Sequence, residues 1–155
     1  MSLQSVRDDL AARAPDLSVL VTDASTATVP LAAEVHGVKP GQIAKTLCIR
    51  VRDEEFLLVT RGDARLDNQK SKTAFGGRPR MLGPEDVLRL TSHPVGGVCP
   101  FGLPAPLPIF LDTSLKIYDI VIPAGGDTHA SVKLTVSRLA ELCGNKWVDA
   151  CQLPE

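Results

Sequence analysis

No run in this sequence of 155 residues approaches the roughly 20 consecutive apolar residues of a membrane-spanning helix. The opening segment, Met1-Ser2-Leu3-Gln4-Ser5-Val6-Arg7-Asp8-Asp9, lacks the basic region and apolar stretch of a secretory leader, so no membrane association and a cytoplasmic location are expected. Cys48, Cys99, Cys143 and Cys151 are widely spaced and form no Cys-x-x-Cys pair. That excludes a zinc knuckle and a redox dithiol and predicts reduced thiols. The three histidines, His36, His93 and His129, are too scattered for a metal-ligand pair, and no glycine-rich phosphate loop with its lysine is present. Neither a metal nor a nucleotide cofactor is expected. The formal net charge of −1 lacks the basic excess of a protein that wraps nucleic acid, and no DNA partner is expected.

What the chain does have is 44% hydrophobic residues, enough for a real core in one domain over residues 1–155. Its charge is uneven. Arg61, Arg65, Lys70, Lys72, Arg78 and Arg80 fall against only Asp63 and Asp67, whereas residues 1–37 carry Arg7 and Arg13 against five acids. The basic stretch reads equally as a face that attracts phosphates and as a solvated mixed-charge surface.

The periodicity predicts a mixed α/β (α+β) fold with a curved mixed sheet flanked by helices. Leu3, Val6 and Leu10 recur at helical spacing after a capping Ser2 and before Pro15, and residues 18–21 read as a strand. A helix from Thr28 to His36 stops at Gly37. The runs 43–51 and 56–60 flank the charged turn Arg52-Asp53-Glu54-Glu55, which predicts a hairpin. Short helices are expected over residues 67–75, from Gly83 onward and over 137–143. Strands are expected at 107–112, 118–123, 131–135 and 146–151.

One lysine interrupts the apolar, β-prone run Gln42-Ile43-Ala44-Lys45-Thr46-Leu47-Cys48-Ile49-Arg50-Val51. Alternation puts Lys45 on the face of Ile43 and Leu47, not that of Ala44 and Thr46. An ammonium among such neighbours must snorkel, find a counter-charge or meet a ligand. The segment Gly96-Gly97-Val98-Cys99-Pro100-Phe101-Gly102-Leu103-Pro104-Ala105-Pro106 mixes prolines that restrict the backbone with glycines that free it, which favours a fixed, shaped loop.

Ile43-Ala44-Lys45-Thr46-Leu47, then Gly96 to Gly102, then Ala124-Gly125-Gly126, with Gly62-Asp63 and Leu111-Asp112, occur in an order that resembles the YbaK/ProX family of aminoacyl-tRNA editing domains. That family is also found as the insertion of bacterial prolyl-tRNA synthetases, and the resemblance covers residues 28–151. It implies a deacylase, independent of metal, that acts in trans and hydrolyses the ester between a wrong amino acid and the 3′ end of a transfer RNA.

By the same resemblance Lys45 is the lysine needed for activity. The loop residues Gly97, Val98, Pro100, Phe101 and Gly102 wall the amino-acid pocket, and Gly125 and Gly126 let substrate approach the backbone. Thr46 and the stretch holding His129 and Ser131 vary with amino-acid preference; either His129 or Ser131 faces the pocket. Arg61, Arg65, Lys70 and Lys72 are the candidate transfer RNA contacts, and a synthetase is a further candidate partner. Two other readings stand beside this one: a non-catalytic module that holds aminoacyl-tRNA or docks on a synthetase, and a thiol hydrolase with Cys99 as nucleophile.

Overall fold

A computed structural model describes residues 2–154. Its spine is the predicted hairpin: β2 (Ile43–Val51) pairs antiparallel with β3 (Glu54–Arg61) without a bulge from Ala44↔Arg61 to Val51↔Glu54. On the far side of β3 lie β6 (Ile109–Asp112) and then β10 (Trp147–Val148), both parallel to their neighbours. On the other side, β2 pairs in parallel with β7 (Ile120–Pro123), which in turn pairs with β9 (Leu134–Thr135). A two-residue strand, β5 (Arg80–Met81), joins the opposite end of β2. The result is the mixed, curled sheet expected, with parallel and antiparallel pairs in one surface.

Two small ribbons complete it. β1 (Val19–Val21) pairs with β8 (Ala130–Val132), and β4 (Arg65–Leu66) pairs with β11 (Cys151–Gln152). The expected strand at 146–151 is therefore two strands in different sheets. Between them Asp112, 1% exposed, accepts the Ala150 N–H at 2.9 Å through Oδ1 and the Ser114 N–H at 3.1 Å through Oδ2. That carboxylate is a structural clamp across the chain.

The helices begin and end where local chemistry dictates. Thr28 caps α2 (Val29–His36) by accepting the Leu31 N–H, Pro30 sits in the first turn, and Gly37 ends it at φ 65°. Asp67 accepts two amide N–H groups at the start of α3 (Asn68–Phe75). Pro84 opens α4 (Pro84–Thr91), and Thr135 caps α5 (Val136–Cys143).

The largest core cluster brings α1 (Ser2–Arg13), through Val6 and Leu10, against Cys99, Phe101, Leu111, Val121 and Leu139. The opposite face of the hairpin buries Ile49, Phe56 and Leu58, with Phe75 and Phe110 tilted against Phe56 at 4.6 and 5.2 Å between ring centroids.

Candidate functional site

β2 is not paired along its whole outer edge. β7 reaches it only at Ile43 and Ala44, and β5 only at Ile49 and Arg50, so the edge from Lys45 to Cys48 has no neighbouring strand. A cavity of about 280 Å³ occupies that gap. Met81, Leu82 and Val87 border it on the β5 side, Ile122, Ala124 and Ser131 on the β7 side, Thr26 to Thr28 with Val95, Gly96 and Val98 approach it from loops, and Val29 and Ala32 from α2. Its volume lies at the small end of the range for ligand pockets, about 300–1,000 Å³, and its walls are mostly short apolar side chains.

Lys45 is half-buried at this cavity, on the face of Ile43 and Leu47 as alternation requires. Burial holds its ammonium below the usual lysine range. Among the described residues it forms no ion pair. Asp63, a nearby carboxylate that acts on its charge, already receives two hydrogen bonds from Arg61, at 2.9 and 2.7 Å. The nearby Cys151 thiol is pushed up to about 11 by burial and is neutral at ordinary pH. The Lys45 charge is thus left for whatever enters the gap.

The loops that close the cavity are locked by close backbone approach. Gly126 donates its N–H to the Gly97 carbonyl at 2.9 Å, and a Cβ on Gly97 would lie 2.6 Å from the Asp127 nitrogen. Gly96, at φ 92°, abuts Ala27. Gly125 packs beside Val19 and the Ser131 nitrogen, and Gly126 rests on the start of α1, where the Ser2 hydroxyl donates to its carbonyl.

Of the residues singled out from the sequence, Lys45, Thr46, Val98 and Ser131 line the cavity. Gly97, Gly125 and Gly126 form the buried joint just behind it. The second half of the loop turns away: Phe101 is fully buried in the main core, while Pro100 and Gly102 border a different groove beside α1, with Asp9 accepting the Gly102 N–H at 2.8 Å. His129 is half-exposed and bonds the Thr128 hydroxyl at 3.0 Å, outside the cavity lining, so Ser131 is the member of that pair that faces it.

Among the basic residues, the Arg61 side chain is only 12% exposed, committed to Asp63 and stacked 5.3 Å over Tyr118. Lys70 reaches Asp149 at 3.2 Å, and Arg65 and Lys72 are exposed. Sequence reasoning missed the lining from Thr26 to Val29 and from Met81 to Val87. The only signal was the capping threonine at 28, which marks a helix and not a site.

Cys99 lies in the core, not in the cavity. His93 Nε2 is 3.5 Å from its sulfur but 2.7 Å from the Phe101 carbonyl. A carbonyl only accepts, so Nε2 carries the proton and has no lone pair to take one from the thiol. Burial pushes the thiol up to about 12. Cys99→Ala should therefore leave any activity of the cavity within about threefold, since it removes only a packing contact. A rate assay on the folded variant checks this, and a dead variant would restore the thiol reading.

The profile of the aminoacyl-tRNA editing domain matches residues 23–142. Uncharacterized protein YwhH of Bacillus subtilis (strain 168) is 43% identical over 154 residues, 98% of each chain. A proline–tRNA ligase of Thermotoga sp. (strain RQ2) is 32% identical over 77 residues, 49% of this chain but 13% of the ligase. A crystal structure of a protein provisionally described as a trans-editing enzyme for prolyl-tRNA synthetase superposes with a TM-score of 0.90 at 36% identity, over 97% of both chains. The chain belongs to the aminoacyl-tRNA editing domain family.

Proposed function

We propose that this protein is a trans-acting deacylase that hydrolyses the ester of a mischarged aminoacyl-tRNA, with the amino acid held in the β2 gap and Lys45 as the catalytic cation. The observation that carries this is an ammonium without an ion-pair partner among the described residues, at the edge of a small cavity, in a chain of the editing family. A water oxygen attacks the ester carbonyl carbon, the carbonyl oxygen takes up negative charge, and the bond to the ribose oxygen breaks as that oxygen gains a proton. The products are free amino acid and uncharged transfer RNA. An aminoacyl ester is already activated, so the protein must supply position and a charge that meets the developing oxyanion. Lys45 supplies that charge without a metal.

The short side chains around the gap, Ala27, Ala32, Ala44, Val98 and Ala124, limit what fits. A separate, size-excluding hydrolytic pocket is useful because one methylene gives a synthetic site only about 1–3 kcal/mol of discrimination. The synthetase named for two relatives makes proline transfer RNA the first acceptor to test. Release of free amino acid under multiple turnover from a panel of mischarged transfer RNAs is the test; tight binding without turnover would instead support a non-catalytic module.

Arg65 and Lys72 are exposed, and Lys70, also exposed, donates to the exposed Asp149 carboxylate and to the Cys151 carbonyl at 3.2 and 3.3 Å, which leaves all three able to meet phosphates. Reversing the three charges together should raise KM by about 3- to 30-fold at low salt with a smaller change in kcat, as for contacts remote from the ester. Unchanged kinetics would make this a solvated surface.

A further inference from the structure

The open stretch of β2 presents backbone as well as side chains. Cys48 accepts the Leu82 N–H at 3.0 Å, so the Cys48 main chain points out of the hairpin, toward the β5 side. The β2–β3 register has no bulge between Ala44 and Val51, so main-chain direction alternates strictly. Thr46 must then point its N–H and C=O the same way, away from β3 and into the gap between β5 and β7. β7 has already ended its pairing at Ala44, and β5 begins at Ile49. Among the described residues nothing hydrogen-bonds the Thr46 main chain on that side. The Thr46 hydroxyl is likewise buried without a partner.

An amide and a carbonyl left unpaired at a cavity wall, beside a buried hydroxyl that also lacks a partner, are costly features that proteins rarely keep without an occupant. Here they sit two atoms apart along one residue, at the cavity wall, between an N–H that seeks an acceptor and a C=O that seeks a donor.

We infer that the Thr46 main chain reads the substrate's own α-amino group and ester carbonyl, so that the bound amino acid completes the missing rung of the sheet between β5 and β7. This rests on the deacylase reading above and adds a selection rule to it. The Thr46 C=O accepts from the α-ammonium, and the Thr46 N–H donates to the carbonyl oxygen. Side-chain size is judged by the apolar walls, and the free amine is judged by the strand. A substrate with an acylated amine, as on a peptidyl or formylated transfer RNA, loses the charge, keeps a single N–H and carries bulk into the rung. The site therefore spares peptidyl and formylated initiator transfer RNAs by backbone recognition.

The test uses the full chain and one transfer RNA carrying the same side chain in three forms: free α-amine, N-acetyl, and 2-hydroxyacyl with the amine replaced by hydroxyl. The acetyl and hydroxyacyl esters should be cleaved about 10- to 100-fold more slowly in kcat/KM, the loss expected for one hydrogen bond from a charged donor. Equal rates for all three would overturn the inference while leaving the deacylase reading intact; no cleavage of the free-amine ester would overturn that reading instead.

A binding arm needs no turnover. With 3′-(aminoacylamino)-3′-deoxyadenosine as the probe, the Thr46 amide resonance of the ¹⁵N-labelled protein should shift and gain exchange protection. The deaminated analogue should bind at least 10-fold more weakly. Equal affinity, no binding, or shifts confined to other strands would count against backbone recognition.

Discussion

Lys45→Ala should lower kcat/KM for deacylation by at least about 100-fold, in the range seen when one preorganised donor to an oxyanion is removed. The same variant should not unfold. Lys45 has no ion-pair partner among the described residues, and burial disfavours its charged form, so the native state gains little from it. Lys45→Met, which keeps the aliphatic stem against Ile43 and Leu47 and deletes the charge, should unfold at a higher temperature than the parent while being equally inactive.

The pH dependence has a definite sign. The folded-state pKa of Lys45 lies below that of the unfolded chain, so the unfolded state binds more protons between the two values. Lys45 then costs stability at neutral pH, and that cost is relieved as pH rises from the folded value to the unfolded one. Activity runs the other way, falling as pH rises through the folded value, earlier than for an ordinary lysine. A pH–rate profile beside calorimetry over the same range checks both. Stability that fell across that window in the parent but not in Lys45→Met would mean that the ammonium is paired after all.

Much of this architecture is legible residue by residue. The hairpin of β2 and β3 follows from two β-prone runs around a charged turn, and α2 follows from Thr28, Pro30 and Gly37. The face of Lys45 follows from alternation alone. The gap that makes Lys45 useful does not. It depends on where β5 and β7 stop, and a two-residue strand such as Arg80–Met81 carries no periodicity to detect. The same reason splits the expected strand at 146–151 between two sheets, because Asp112 draws the Ala150 amide aside. The lining from Thr26 to Thr28 comes from a loop held by Thr128 and His129 main-chain oxygens, pairings more than 100 residues apart in sequence that no local pattern encodes. In the 96–102 segment the mixture of glycine and proline announces a shaped loop but is silent on which side faces the cavity.

That last ambiguity makes Phe101 the most informative residue of the loop. If it walled the amino-acid pocket, Phe101→Ala would enlarge the pocket and relax selectivity. Instead it is fully buried among Val6, Leu10, Cys99 and Leu139, and heads the fully buried side chains by size. Its removal should cost about 3–5 kcal/mol, the transfer energy of the ring plus the cavity left behind. Against a total of about 5–15 kcal/mol for a typical domain, that is about a fifth or more of the stability. It should lower the melting temperature by about 10 °C or more at this chain length. Below the transition, kcat/KM and amino-acid preference per folded molecule should stay within about threefold of the parent, since the backbone contact from His93 to the Phe101 carbonyl survives the truncation. Val98 supplies the contrast: it lines the cavity three residues earlier, so Val98→Phe should obstruct the gap and abolish turnover at little cost in melting temperature. Calorimetry and single-turnover deacylation on the two variants separate the faces of the loop. Altered selectivity in fully folded Phe101→Ala would show that the loop turns its other side to the substrate.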